Sequence, residues 1–291
     1  MSVASDSADS KEGRGIFSGH LAGGVAYVTM SLTWVLKYHF RRSFCQRDES
    51  ERRGLSGHYI WKMFRLIPWE GCIFFFSGLV GVIGGILTPF FRFRMIGDDD
   101  KFSLDSLRGW QHIVMYSNIA LFGVVMLLAD TKFNKITFYL KPLGSAIFAI
   151  TGTVFALHGS MENAVDSQIH KVLVLCSYGI AVSFALETAY PVQKLFFMTR
   201  VFFTFLQGSW LIEAAYILEP PNGKLWDGYD KLNVMFISTT FLIHVLVDFW
   251  FALLIFCCAS HCSRQIAKYQ EKDNFHLNEC ELRLLEEGNT L

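Results

Sequence analysis

Phe155–Val174, FALHGSMENAVDSQIHKVLV, ends one apolar run, crosses a short polar bridge and opens another. His158, Glu162, Asp166 and His170 recur in it every four residues. As a single helix, this stretch would carry two imidazoles and two carboxylates on one stripe. The flanking runs argue instead for a junction. Tyr139–Leu157 and Ile169–Tyr190 each approach the roughly 20 residues of helix that cross a bilayer, so Gly159–Val165 is the turn between them. Glu162 then falls at the exposed tip, while His158, Asp166 and His170 come together from two helix ends.

Working outward, five more stretches have that character, near Ile16–Tyr38, Leu66–Phe91, Trp110–Ala129, Phe196–Leu218 and Val234–Cys258. None alternates as a strand would, and backbone groups in lipid must be satisfied within the segment. The expected fold is an all-α integral membrane bundle of seven transmembrane helices spanning residues 16–260. A polar tail, 1–15, precedes it and a cytosolic tail, 261–291, follows. The composition agrees: 52% of the 291 residues are hydrophobic and 28 are Phe, whereas only 18% are charged, below the roughly 25% of soluble domains. Residues 1–15 lack the basic-then-apolar start of a cleavable signal peptide, so none is expected. The small-residue runs Gly19–Gly24 and Gly78–Gly85 suit close helix packing in lipid.

If the helices alternate in direction, the side holding the N-terminus carries eight Lys and Arg and the opposite side sixteen. The positive-inside rule then puts the N-terminus outside or in a lumen and the C-terminus in the cytosol. Lys+Arg and Asp+Glu balance at 26 each, so no charge excess calls for nucleic acid. None of the seven cysteines falls in an outer loop, and no disulfide framework is implied. Cys257, Cys258 and Cys262 lie at the cytosolic end of the last helix, where palmitoylation and plain lipid-facing thiols are both open. Trp34, Trp69, Trp110, Trp210 and Trp226 fall near helix ends and are expected as interface anchors. Glu70, Glu187 and Arg200 lie near the inner helix ends, where pairing with one another or with Arg65 at the interface is expected to make a structural ion cluster.

Histidine placement is the feature that points to chemistry. His20, His112 and His170 lie near the start of their helices and His158 closes its own, so all four share one leaflet, and His244 lies about 15 Å into the last helix at 1.5 Å per residue. Glu213 belongs at the same level, Asp166 is one turn before His170, and Asp248 one turn after His244. Groups of this kind in hydrocarbon line a bundle interior or a water-filled cavity. Any one of these histidines, taken alone, reads as a hydrogen-bonded side chain near an interface. Taken together, His20, His112, His158, Asp166, His170 and His244 have the donor chemistry of a divalent metal site, Zn²⁺ above all. Asp166 and Glu213 are the candidate general bases. Asp248 reads equally as a functional carboxylate or as a structural partner of His244.

These blocks carry a family resemblance. FSGH at Phe17–His20, WQHIVMY at Trp110–Tyr116, the His158–Asp166–His170 junction, LQGSW at Leu206–Trp210, ILEPP at Ile217–Pro221, NVMFI at Asn233–Ile237 and His244 resemble the transmembrane protein 45 family, from Phe17 to Cys258. The resemblance implies a seven-helix bundle whose polar positions match His20, His112, His158, Asp166, His170 and His244. Two departures stand out: relatives carry further histidines where this chain has Ser160 and Gln168, and they lack a carboxylate at Asp248. No activity is implied.

Three function classes follow. A metal-dependent membrane hydrolase would use a metal-lowered water and a carboxylate base. A transporter or ligand-binding protein would use the same His/Asp chain to relay protons or bind a cation. A scaffold would use it only to fix helix packing. The receptor class suggested by seven helices is missing its Asp-Arg-Tyr and Asn-Pro-x-x-Tyr motifs. The expected partners are the lipid bilayer, a metal cation and further copies of the chain. The expected location is the plasma membrane or a Golgi or endolysosomal membrane. Glu281-x-x-Leu284-Leu285 resembles an acidic dileucine sorting signal.

Overall fold

The computed structural model describes residues 19–39, 68–87, 93–97, 100–130, 134–159, 163–220, 223 and 226–288. Seven α-helices run through them: α1 over residues 19–39, α2 Trp69–Leu87, α3 Leu104–Ala129, α4 Leu140–Gly159, α5 Ala164–Ala189, α6 Lys194–Leu218 and α7 Lys231–Gly288. A 3-10 turn, Asn134–Tyr139, leads into α4. No strand occurs among the described residues, only an isolated bridge between Ile96 and Phe102 that closes the α2–α3 loop. Glu162 and Ser160 lie outside the described residues, as do residues 40–67 and 1–18.

Among the described residues, six stretches are long and apolar enough to cross a membrane: Trp69–Leu87, Leu104–Ala129, Ile136–Gly159, Ala164–Ala189, Lys194–Leu218 and Lys231–Gln265. The seven spans expected from sequence therefore stand at six by length and hydropathy. α1 is helical and packed into the same bundle but falls outside that set. It buries a single stripe, Gly24, Tyr27, Met30, Ser31 and Trp34, at helical spacing.

Capping moves two helix starts. α3 begins six residues before the expected Trp110 because Ser103 caps it, its hydroxyl accepting the Ser106 N–H at 3.4 Å. α5 begins five residues before Ile169 because the Asn163 side chain accepts the Asp166 N–H at 3.0 Å. Asp166 thus belongs to the first turn of α5. At the other end of the chain, α7 passes through residue 260 without a break and runs on to Gly288.

Neighbouring helices alternate in direction. Glycines allow the closest crossings: a Cβ on Gly78 would stand 2.4 Å from Ala120 N, and one on Gly123 would stand 2.2 Å from Phe75 N, so α2 and α3 touch backbone to backbone. α1 and α6 meet the same way through Gly24 and Gly208. Between these contacts lies an aromatic core drawn from five helices. Phe74 packs on Phe122 at 5.1 Å and on Trp34 at 6.3 Å, and Phe148 packs on Phe184 at 5.9 Å and on Tyr27 at 6.1 Å. Trp34 and Trp210, expected as interface anchors, are instead buried in this interior, where large rings fill the bundle.

One end of the bundle carries a buried ion cluster. Arg200 donates to Glu187, Lys141 Nζ stands 3.4 Å from the same carboxylate, and the guanidinium lies 3.9 Å over the Trp34 ring. Glu70 pairs with Lys37 at 2.7 Å, and Arg65 lies outside the described residues. The lipid-facing surface is broadest on α7, where Leu242, Leu246, Val247, Trp250 and Leu254 are exposed and apolar.

Candidate functional site

At the end opposite the ion cluster, four helices bring their histidines together. α1 supplies His20, α3 His112, the last turn of α4 His158, and α5 His170 together with Asp166. The His158 ring is central, with its centroid 4.8 Å from both His112 and His170. His20 stands edge-on to His170 at 6.5 Å. Gly159 makes the approach possible, because a Cβ there would lie 2.6 Å from His170 Cβ. Phe155, one turn earlier on α4, covers His170 at 6.1 Å. His170 is only 3% exposed.

Hydrogen bonding fixes how these rings present themselves. His112 Nδ1 donates to the main-chain oxygen of Arg108 at 3.1 Å, and His170 Nδ1 to that of Asp166 at 3.0 Å. His158 Nδ1 donates to Gln111 Oε1 at 3.1 Å. A neutral imidazole with Nδ1 protonated carries its lone pair on Nε2, so all three rings are held as Nε2 bases. The Asp166 carboxylate comes within 2.7 Å of His170 Nδ1. The hydrogen bond itself runs to the main chain, which leaves Asp166 Oδ1 buried without one among the described residues. Carbonyl, amide and carboxylate partners on Nδ1 are what orient histidines for a metal.

His244 and Glu213 stand in a second cluster, between α6 and α7. His244 Nδ1 donates to Ser209 Oγ at 3.2 Å, Ser209 donates in turn to Asp248, and Glu213 Oε2 lies 4.0 Å from His244 Nε2. Asp248 therefore reaches His244 through Ser209. Trp210 separates the two clusters: its ring is 5.6 Å from His244, and its indole N–H donates to Ile169 O at 3.4 Å. Of the six expected ligands, the structure brings together His20, His112, His158, Asp166 and His170, and places His244 elsewhere. Among the described residues, no three His, Cys, Asp or Glu side chains stand close enough, as placed, to enclose a metal ion.

Sequence reading passed over Gln111, Asn163 and Ser209. Gln111 sits beside His112 in the WQHIVMY block, and Asn163 lies inside the junction, but neither residue type signals chemistry on its own. Gln168, where relatives carry histidine, donates to Ser238 on α7 at 3.1 Å.

Residues 138–257 match the model of DUF716, described as a family of unknown function. That segment holds α4, α5, α6 and the first half of α7, and so His158, Asp166 and His170 with the whole second cluster. The chain is 28% identical over 142 residues to transmembrane epididymal protein 1A of Mus musculus, covering 48% of the chain and 46% of the relative. It is 26% identical over 182 residues to transmembrane epididymal protein 1 of Rattus norvegicus, covering 59% of each. Against transmembrane epididymal protein 1 of Homo sapiens it is 26% identical over 165 residues, covering 55% of the chain and 60% of the relative. The chain is a multi-pass membrane protein. It spans about half to three-fifths of the length of these curated relatives. These matches support the family resemblance at the level of DUF716 and of similarity to transmembrane epididymal protein 1.

Proposed function

We propose that this membrane protein binds a divalent cation of zinc-like preference at the four-helix histidine junction, with His112, His158 and His170 as ligands. His20 is the fourth side chain in reach, and Asp166 orients His170 and supplies negative charge. The observation that carries this reading is the fixed tautomer of three adjacent rings, each presenting Nε2 as a base. The spacing supports it too. Imidazoles bound at about 2.0–2.1 Å to one tetrahedral ion bring their ring centres to about 5 Å, close to the two 4.8 Å separations here. Hydrolysis by this centre would rest on Asp166 as the base, since Glu213 belongs to the second cluster. We take the N-terminus to face the outside or a lumen, and α1 to be the seventh span.

The absence of a ready-made three-ligand group among the described residues favours a second reading, in which the rings only pin four helix ends together. Metal analysis of the purified protein separates the two. About one zinc per chain is expected in the wild type, with loss in His158→Ala and in His112→Ala/His170→Ala. A wild type with no stoichiometric metal leaves the scaffold reading, and a metal that survives both changes refutes this ligand set.

A further inference from the structure

The second cluster, between α6 and α7, stands apart from the histidine junction. Its members form a line from a half-exposed group to a buried one. The Glu213 side chain, five residues from the end of α6, is 37% exposed. Its Oε2 lies 4.0 Å from His244 Nε2, His244 Nδ1 lies 3.2 Å from Ser209 Oγ, and Ser209 donates to Asp248. Asp248 is 5% exposed and about 25 Å along α7 from Lys231, deep in the bundle. Among the described residues no Lys or Arg pairs with it. A carboxylate so placed in hydrocarbon is held by hydrogen bonds or by taking up a cation, and the smallest cation is a proton.

We propose that Asp248 is an intramembrane proton-binding site, reached from the histidine-junction end of the bundle through Glu213, His244 and Ser209. A proton arriving at His244 Nε2 forms an N–H bond there, and the Nδ1–H bond breaks as its proton passes to Ser209 Oγ. The original Ser209 O–H proton passes to Asp248 Oδ2. The products are a neutral imidazole protonated on Nε2, a re-formed hydroxyl and a neutral carboxylic acid, with no electron transferred. The groups that bear on Asp248 are few. From α7 itself there is His244, from α6 the Ser209 hydroxyl and, through His244, Glu213, and from α5 the buried Cys176 thiol. Trp210 keeps the line apart from the histidine junction, so this site does not depend on whether the junction binds metal.

Infrared difference spectroscopy of the full chain in lipid nanodiscs, recorded after a pH drop, tests the proposal. A carboxylic C=O band should appear in the wild type, be missing in Asp248→Asn and shift in Asp248→Glu, a variant that keeps the acid if the amide fails to fold. In Ser209→Ala the same band should form more slowly by roughly a hundredfold, the scale of a positioned proton-transfer group, and Ser209→Thr should restore the rate. A band unaffected at Asp248 overturns the site. Formation in Ser209→Ala at the wild-type rate overturns the route.

Discussion

Gln111 turns the His158 ring, and its effect on the junction can be measured directly. Its Oε1 accepts the Nδ1–H at 3.1 Å, so Gln111→Leu removes the acceptor that fixes how the His158 ring is turned. Loss of such an orienting partner costs about 10–100-fold in metal affinity. On the proposed metal reading, competition titration with a zinc chelator should show that loss in Gln111→Leu and none in Gln111→Glu, which keeps an acceptor. Gly159→Ala acts by another route, forcing a methyl to within 2.6 Å of His170 Cβ and levering the start of α5 away from α4. Overpacking of this kind costs about 1–3 kcal/mol, which thermal unfolding in detergent would register. At this scale the convergence of the junction side chains was largely legible. Placing His158, Asp166 and His170 on two helix ends, with His112 and His20 at the same level, needed only span lengths. What stayed hidden was azimuth. Depth along α7 follows from 1.5 Å per residue, but the direction of His244 depends on which face of α7 meets α6, and a single sequence does not set that. The face it presents is toward Ser209, with the indole of Trp210 between it and the other rings.

Between helices, two kinds of contact hold the frame. α2 and α3 meet through Gly78 and Gly123, where a side chain would collide with backbone atoms. α4, α5 and α6 are tied at the other end by Lys141, Glu187 and Arg200. Removing one partner of that buried pair leaves a charge uncompensated, at a cost of about 3–5 kcal/mol, whereas replacing both with apolar residues does not. Arg200→Ala should therefore lower the unfolding midpoint in detergent sharply, and Arg200→Met/Glu187→Leu should recover most of it. A double variant no better than the single would mean that the guanidinium acts chiefly through its stacking on Trp34. The ion cluster was legible because charge near a helix end demands a partner. The helix starts were less so. The apolar runs mark where each helix enters lipid, whereas Ser103 and Asn163 mark where its backbone begins, five or six residues earlier.

For the whole molecule, the decisive quantity is the number of crossings. The helices alternate in direction, so the start of α1 and the end of α7's apolar stretch lie at opposite ends of the bundle, and the junction and the ion cluster mark those two ends. α1 is the weak member by hydropathy, yet it supplies His20, buries Trp34 beneath Arg200 and caps its own end against α7, where Ser263 donates to His39 O at 2.8 Å. A helix with partners at both ends of the bundle supports the proposed seventh crossing. Seven crossings put the termini on opposite sides, and six would put them on the same side. On the proposed topology, the basic residues, sixteen against eight, put the C-terminal side in the cytosol. Epitope tags at both ends, probed by protease in sealed vesicles of known orientation, should be cut from opposite sides, with the C-terminal tag on the cytosolic face. Cleavage of both tags from one side would remove α1 from the membrane and His20 with it, leaving a three-histidine junction on α3, α4 and α5.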